Sequence, residues 1–576
     1  MTTRNKLIAN ALFASVIAVL GLQAEEVENY DSGKTRVVNI MSNQDTGVSA
    51  YNKQNVTYTQ TQNLDKDLNV EAIASYFGCK TLMGHSFLAQ TLNCPVSPED
   101  KKATHVRRQQ AIRKLVENPS LKKEVEEFLE QAKNHEQEVI QLMSEFFIGK
   151  TCPELKQLEE LKKQHPWIYP FSKFMIMNPI PKTLTTFENN FIVMPGAIGL
   201  TGFYGYSAYL LSKMGSPFYK GTALMSGYVG LIAGFIGYEN YKDYSHACEK
   251  RTKMHALHQL ILIAEKIEKL NKQHGLNNQF NMSAVTDSNA QEIIEGLKSS
   301  RYKDKNCKVF LTSLVHTFLY KVYQQEKHLA QVFACIAEMD AYNAIATKML
   351  ASQNGNNEFC FATFIEDEKP IIKAIASWNV LVENAVASSL TEDKHIILTG
   401  PNAGGKTTTI RAILQNIILA QTFGVAAAQK FEVTMFDEIY SYLNISDDLI
   451  NGLSLFKSEV KRAQEILEKV KTLASKKKFF FALDELFTGT VAEDGEKCAY
   501  EFIKRISEFD RVLFIYATHF HKLKELGKNN PRCINYKVDA PTKNSNGKLV
   551  YPFTLSQGAN ESNVALDIAK EANLFA

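Results

Sequence analysis

The stretch GPNAGGKTTTIRAIL, which begins at Gly400, is the feature that most constrains what this chain can fold into. Its outer glycines and the Lys-Thr pair that follows have the spacing G-x-x-x-x-G-K-[ST] of a phosphate-binding loop. The apolar run HIILT precedes the loop, and a segment with helical periodicity follows it. Loop N–H groups and the positive end of a helix both favour bound phosphate. The sequence therefore predicts a nucleotide site in an α/β domain.

Each part of this loop has an expected role. The side chain of Lys406 is expected to reach the β- and γ-phosphates of ATP, and the hydroxyl of Thr407 to ligate Mg²⁺. The predicted nucleotide-binding residues of the loop are Gly400, Pro401, Asn402, Ala403, Gly404, Gly405, Lys406, Thr407 and Thr408. ATP and Mg²⁺ are the ligands that this assignment predicts.

A second motif, KKFFFALDEL, places an acidic pair at the end of a predicted buried strand. Asp484 is expected to hold Mg²⁺, and Glu485 to orient or deprotonate the attacking water. A third segment, FIYATHF, places His519 at the end of another predicted strand, where it would sense the γ-phosphate. The predicted catalytic residues are thus Glu485, Lys406 and His519, and the predicted metal ligands are Thr407 and Asp484.

Together these segments resemble the ATPase of the MutS family, the ATPases of DNA mismatch repair. The family pattern is TGPN-x-x-GK[ST], then D-D-L-x-x-G-x-S-x-F-x-x-E, L-D-E, G-T, D-G and A-T-H. This chain has TGPNAGGKT, SDDLINGLSLFKSEV, ALDELFTGTVAEDG and YATHFHKL in the same order. The resemblance implies an ABC-like P-loop ATPase that binds ATP and Mg²⁺, over residues 360–576.

The resemblance also implies partners. In such ATPases the serine of the second segment completes the nucleotide site of a neighbouring subunit, so Ser454 would act in trans within a homodimer. DNA is implied as a partner by the family alone. The segment WNVLVENAVASSL, which begins at Trp378, resembles the family segment that flanks the adenine, with Asn384 as its matching asparagine.

The upstream sequence predicts an all-α region in two parts, residues 66–185 and 245–355, because apolar residues recur at three- and four-residue steps. The segment TLMGHSFLAQTLNCPVSPEDKKATHVRRQQAIRKL is similar to the lever domain of the MutS family. The segment before this lever is too short for the mismatch-reading domain of that family and has no Phe-x-Glu motif. In the family a DNA clamp separates the two lever parts, and here an apolar hairpin occupies that place.

Two apolar runs in the middle of the chain predict membrane-spanning helices. Phe191 to Leu211 and Phe218 to Tyr238 are each about 21 residues long, enough to cross a hydrocarbon core of about 30 Å. They predict an inserted transmembrane hairpin at 190–240. A basic start and an apolar run predict a signal peptide or membrane anchor at 1–24, followed by a polar linker at 25–65. The predicted location is the membrane with the ATPase domain in the cytoplasm, and an exported form stays open.

Composition narrows the choice of function only slightly. The net charge of +3 gives no argument for nucleic acid by itself. Nine dispersed cysteines without a C-x-x-C pair argue against a disulfide framework and against a zinc site. Three functions stay open. The first is a DNA-processing ATPase for mismatched or branched duplex, and the second is an ATP-driven membrane machine that binds no DNA. The third is a scaffold member that does not hydrolyse ATP.

Overall fold

The computed structural model of this protein describes most of the predicted ATPase region and parts of the predicted helical region. The described residues are 58–62, 64–100, 103–149, 206–214, 223, 252–276, 278, 280, 288–298, 322, 326–353, 355–401, 403–443, 455–545 and 549–560. The chain divides into two compact units. The first contains residues 1–47, 132–263 and 283–332, and the second contains 48–131, 264–282 and 333–576.

The secondary structure is mixed α/β, with one strand and then helices before residue 353, and with strands and helices after it. The first elements are β1 (Gln60–Gln62), α1 (Leu64–Leu68), α2 (Val70–Phe77), α3 (Leu82–Leu92), α4 (Thr104–Glu117), α5 (Pro119–Gly149), α6 (Ser288–Lys298) and α7 (Glu326–Ser352). Further helical residues lie at 206–213 and 252–274.

The second unit continues with strands that surround the predicted nucleotide loop. They are β2 (Cys360–Phe361), β3 (Thr363–Phe364), β4 (Ile372–Ser377), β5 (Ser388–Glu392), β6 (His395–Thr399), β7 (Val425–Ala426), β8 (Lys430–Val433), β9 (Glu438–Tyr442), β10 (Phe479–Asp484), β11 (Val512–Ala517), β12 (Cys533–Val538), β13 (Thr542–Lys543), β14 (Leu549–Val550) and β15 (Leu555–Gln557). The helices among them are α8 (Lys406–Phe423), α9 (Leu455–Leu473), α10 (Ala492–Ile506) and α11 (His521–Asn529).

A seven-stranded sheet forms the centre of the second unit, in the order β1-β9-β10-β11-β6-β12-β15. All neighbouring strands in it are parallel except the β12–β15 pair. Every residue of β6 and β11 is buried, as are the three consecutive phenylalanines that begin β10. Strands covered on both faces are expected to be continuously apolar, which explains these runs. The parallel order brings the carboxyl ends of β10, β11 and β6 to one edge.

The edge strand β1 comes from residues that the sequence analysis assigns to the polar linker. Gln60–Gln62 pair in parallel with Glu438–Tyr442 of β9. The hydroxyl of Thr59, just before β1, donates to the carbonyl of Phe436 at 2.9 Å. Because the sequence QTQ carries no apolar alternation, this strand is held by backbone pairing and has no pattern from which to predict it.

Three smaller sheets complete the second unit. The order of the four-stranded sheet is β3-β8-β4-β5, and β2–β7 and β13–β14 form two-stranded sheets. The antiparallel register between β4 and β5 shifts between Ala374 and Ser377, and Ala376 has a left-handed φ of 50°. This irregularity turns the chain after β4 toward the start of α8, where the segment from Trp378 lines a pocket.

The helix α3 is anchored on α7 through one buried carboxylate. Asp340 accepts hydrogen bonds from the N–H and the hydroxyl of Thr81, both at 2.7 Å, and from the N–H of Lys80 at 3.0 Å. Burial raises the pKa of Asp340, while these hydrogen bonds oppose the rise. Gly84, in the first turn of α3, lies against the same carboxylate. The two helices therefore approach more closely than a side chain at position 84 would allow.

The described residues do not support the predicted membrane segments. None of the helices in this part of the chain combines the length with the apolar character that a bilayer crossing demands. The predictions of a transmembrane hairpin and of a membrane location were therefore wrong. The predicted signal or anchor at 1–24 and most of 190–240 lie outside the described residues.

Replacing Gly84 by Ala is expected to destabilise the second unit by about 1–3 kcal/mol. The added Cβ would lie 2.3 Å from Oδ2 of Asp340, so the helix or the carboxylate must shift. Urea unfolding of Gly84→Ala measures this cost. Gly355→Ala is the matched control, because its Cβ would meet nothing closer than 3.3 Å. Equal stability of the two variants would contradict the close packing of α3 on α7.

Candidate nucleotide site

The loop between β6 and α8 is a compact turn that depends on small residues. Ala403 and Gly405 have left-handed φ values of 60° and 100°. The N–H of Gly404 donates to the carbonyl of Pro401 at 3.1 Å, and a Cβ on Gly404 would lie 2.9 Å from the ring of Pro401. The loop therefore curls before the first turn of α8, as the sequence predicts. Asn402 lies outside the described residues.

Lys406 opens α8 and points its ammonium group back into the loop. The residue is 6% exposed, and Nζ donates to the carbonyls of Gly400 at 3.3 Å and Pro401 at 3.4 Å. Nζ also lies 2.7 Å from Nε2 of His519 and 3.7 Å from Oε1 of Glu485. Burial lowers the pKa of Lys406, while the nearby carboxylates raise it. A buried cation whose partners include two weak carbonyl acceptors is suited to an anionic ligand.

Thr407 and Asp484 form an oxygen pair beside this lysine. The hydroxyl of Thr407 donates to Oδ2 of Asp484 at 2.5 Å. The other oxygen, Oδ1, is buried and makes no hydrogen bond among the described residues. Burial raises the pKa of Asp484, and the hydrogen bond from Thr407 opposes the rise. An unsatisfied carboxylate oxygen beside a hydroxyl fits Mg²⁺, which prefers oxygen ligands.

Glu485 and His519 close the site on its other side. Glu485 follows β10 with a left-handed φ of 49°, and its N–H donates to the carbonyl of Ala517 at 3.0 Å. Its Oε1 lies 3.0 Å from Nε2 of His519. The hydrogen bond to His519, and then the charges of His519 and Lys406, lower the pKa of Glu485. The structure thus brings Lys406, Asp484, Glu485 and His519 together at one edge of the sheet.

A pocket of about 330 Å³ adjoins the loop and the first turn of α8. Trp378, the first residue after β4, is 5% exposed and donates from its indole N–H to the carbonyl of Glu358 at 2.9 Å. Asn384, with φ 53°, also lines the pocket. The lining includes the loop residues Ala403 and Gly405. The resemblance places the adenine along this segment, and the pocket lies there.

One aromatic residue of the pocket was missed in the sequence analysis. Phe553 lines it from the segment before β15, and its ring would lie 3.3 Å from a Cβ on Gly405. The ring stacks on Tyr551 with centroids 5.7 Å apart. The alternating aromatics of YPF were the only signal, and no motif connects them to the loop. Ser454, the residue predicted to act in trans, lies outside the described residues.

Comparison with known proteins places these residues in a family. Residues 396–576 match the family model described as MutS domain V. The chain is 24% identical to the DNA mismatch repair protein MutS of Finegoldia magna over 314 residues, which is 50% of this chain and 36% of that protein. It is 30% identical to MutS of Fusobacterium nucleatum over 203 residues, covering 35% of this chain and 22% of that protein.

A eukaryotic mismatch repair protein is also similar to this chain. The DNA mismatch repair protein MSH3 of Saccharomyces cerevisiae is 28% identical over 269 residues, covering 45% of this chain and 25% of that protein. The chain thus spans about a third or less of the length of these relatives. The family match covers β6, the loop, the acidic pair and His519, which are the elements that build the site. On these grounds residues 396–576 belong to the MutS family.

Proposed function

We propose that this chain is an ATPase of the DNA mismatch-repair type, which binds Mg²⁺-ATP at the loop 400–407 and hydrolyses it. The observation that carries the proposal is the convergence of one buried lysine, two carboxylates and one histidine beside a phosphate-type loop. The match of residues 396–576 to MutS domain V supports it. Sites with this combination of groups stabilise phosphoryl transfer by position and charge.

Each side chain has a role that its surroundings suit. Thr407 and Asp484 would hold Mg²⁺, and when bound the ion neutralises charge on the β- and γ-phosphates. Lys406 would exchange its carbonyl partners for phosphate oxygens. Glu485 stays ionised at neutral pH because its pKa is lowered, so it can orient a water molecule and accept its proton. His519 holds the carboxylate of Glu485 in place and lies within reach of the same phosphate.

The pocket beside the loop is proposed to take the adenine. Its walls combine the Trp378 segment with the ring of Phe553, which lies against the loop. A base stacked on an aromatic ring gains about 1–3 kcal/mol. The nucleoside would then lie on one side of the turn, and the phosphates on the side of Lys406.

Duplex DNA and a second copy of the chain are the proposed partners. The support is the family and the printed names of the relatives, which are mismatch repair proteins. The stretch from Asp447 to Glu459 resembles the family segment whose serine completes a neighbouring site, so Ser454 is proposed to act in trans. The small net charge implies that DNA affinity would come from local basic surface.

Lys406→Ala and Glu485→Gln are both expected to slow ATP hydrolysis strongly, for different reasons. Lys406→Ala removes the buried cation and should weaken ATP binding itself. Glu485→Gln keeps the shape of the site and should lower kcat by about 10²–10⁴-fold with ATP still bound. Phosphate release and binding of a fluorescent ATP analogue measure the two effects. Lys394→Ala, at an exposed lysine just before β6, is the matched control. Undiminished hydrolysis by the double variant would refute the site.

Duplex DNA carrying a mismatch or a branch is expected to bind with an affinity that falls with salt and changes with ATP. Neutralised phosphates release counterions, so the logarithm of affinity should fall linearly with the logarithm of salt concentration. Fluorescence anisotropy with mismatched, branched and fully paired duplexes measures this. If hydrolysis is normal and none of these duplexes binds, the DNA part of the proposal is wrong and the ATPase part stands.

A further inference from the structure

A buried carboxylate outside the site described above accepts hydrogen bonds from the loop that follows Glu485. Glu459, in the second turn of α9, is 1% exposed. Its Oε1 accepts the N–H of Thr488 and its Oε2 accepts the N–H of Gly489, each at 3.1 Å. Both oxygens of the side chain are therefore committed to two successive backbone groups. Those groups lie three and four residues after Glu485.

The loop that Glu459 holds has a costly backbone conformation. Glu485 and Phe487 both have left-handed φ values, 49° and 68°. Such conformations are unfavourable for residues other than glycine and persist only where the surroundings fix them. The hydroxyl of Tyr516 fixes the middle of the loop by donating to the carbonyl of Leu486 at 3.0 Å. Glu459 fixes the far end of the loop through its hydrogen bonds from the N–H groups of Thr488 and Gly489.

The use of a charged side chain here needs an explanation. Burying a carboxylate is strongly unfavourable unless its oxygens are hydrogen-bonded. A neutral hydroxyl or amide would offer a single acceptor atom to the two N–H groups. A carboxylate satisfies both at once, and hydrogen bonds to an ionised acceptor are about twice as strong as neutral ones. Retaining the charge is therefore consistent with a need to hold both N–H groups firmly.

We propose that Glu459 is a positioning residue for ATP hydrolysis. By holding the N–H groups of Thr488 and Gly489 it fixes the loop, and the loop fixes the carboxylate of Glu485 against His519. The inference rests on the proposed function and deepens it, because it assigns a second glutamate that never contacts the nucleotide. It also connects α9 with the catalytic loop of the same chain.

Glu459→Gln is the test, since it keeps the size of the side chain and removes one of its two acceptors. We expect kcat to fall about 10–100-fold, because small displacements of a catalytic group have effects of that size, with ATP affinity changed less than about threefold. Glu468→Gln, at an exposed glutamate on the same helix, is the matched control and should keep wild-type kcat. Unchanged kcat in Glu459→Gln overturns the proposal, as does a parallel loss of ATP affinity and thermal stability.

A double-mutant cycle separates positioning from general damage. If Glu459 acts through Glu485, then Glu459→Gln should lower the residual kcat of Glu485→Gln no further. A merely structural role would reduce the residual rate by the same factor as in the wild type. Independent, multiplying effects therefore overturn the proposal.

Hydrogen exchange tests the hold on the loop without any turnover. The amides of Thr488 and Gly489 should exchange at least about tenfold faster in Glu459→Gln than in Glu468→Gln, because loss of an acceptor eases local opening. If the wild type does not hydrolyse ATP, the proposed function fails, and this measurement still decides the contact. Equal exchange in the two variants would overturn the inference on its own.

Discussion

The parallel pairing of β10, β11 and β6 is the constraint on which the rest of the site depends. Parallel strands end together, so residues far apart in sequence meet where these three strands stop. Lys406 follows β6 by way of the loop, Asp484 and Glu485 come from the end of β10, and His519 follows β11. Their side chains meet at this edge because backbone pairing fixes the register of the three strands. The chemistry therefore depends on the phenylalanine-rich interior of the sheet.

The helix α8 extends from the site into a region of buried polar groups. Its first residue contacts the site, and its other end is tied into buried polar groups. Arg108 of α4 donates to the carbonyl of Thr422 at 3.1 Å, and Gln109 donates to that of Gly424 at 2.6 Å. Gln421 donates to the carbonyl of Phe436 at 3.0 Å and accepts its N–H at 2.9 Å. Buried polar networks are costly to break, so these hydrogen bonds fix the carboxyl end of α8. The position of α8 in turn fixes the loop that precedes Lys406.

Sequence reasoning identified the parts of the site that have short, rigid motifs. The loop around Lys406 and the acidic pair were accessible because their chemistry requires fixed spacings. Phe553 and β1 were not, since both depend on long-range packing that leaves no local pattern. Glu459 was visible as a position in a family pattern, and only the structure shows the N–H groups that it holds. The membrane prediction was wrong because it depended on hydropathy alone, and no helix among the described residues has both the length and the apolar character to cross a bilayer.

The central claim is that ATP binds with its base beside Trp378 and its phosphates at Lys406. The chain has two tryptophans, so Trp167→Phe leaves Trp378 as the single indole. Titrating this variant with Mg²⁺-ATP while recording tryptophan fluorescence tests the claim most directly. We predict a saturable change in intensity that requires far higher ATP after Lys406→Ala is added. A folded protein whose Trp378 emission does not respond to millimolar ATP, or responds equally without Lys406, would contradict it.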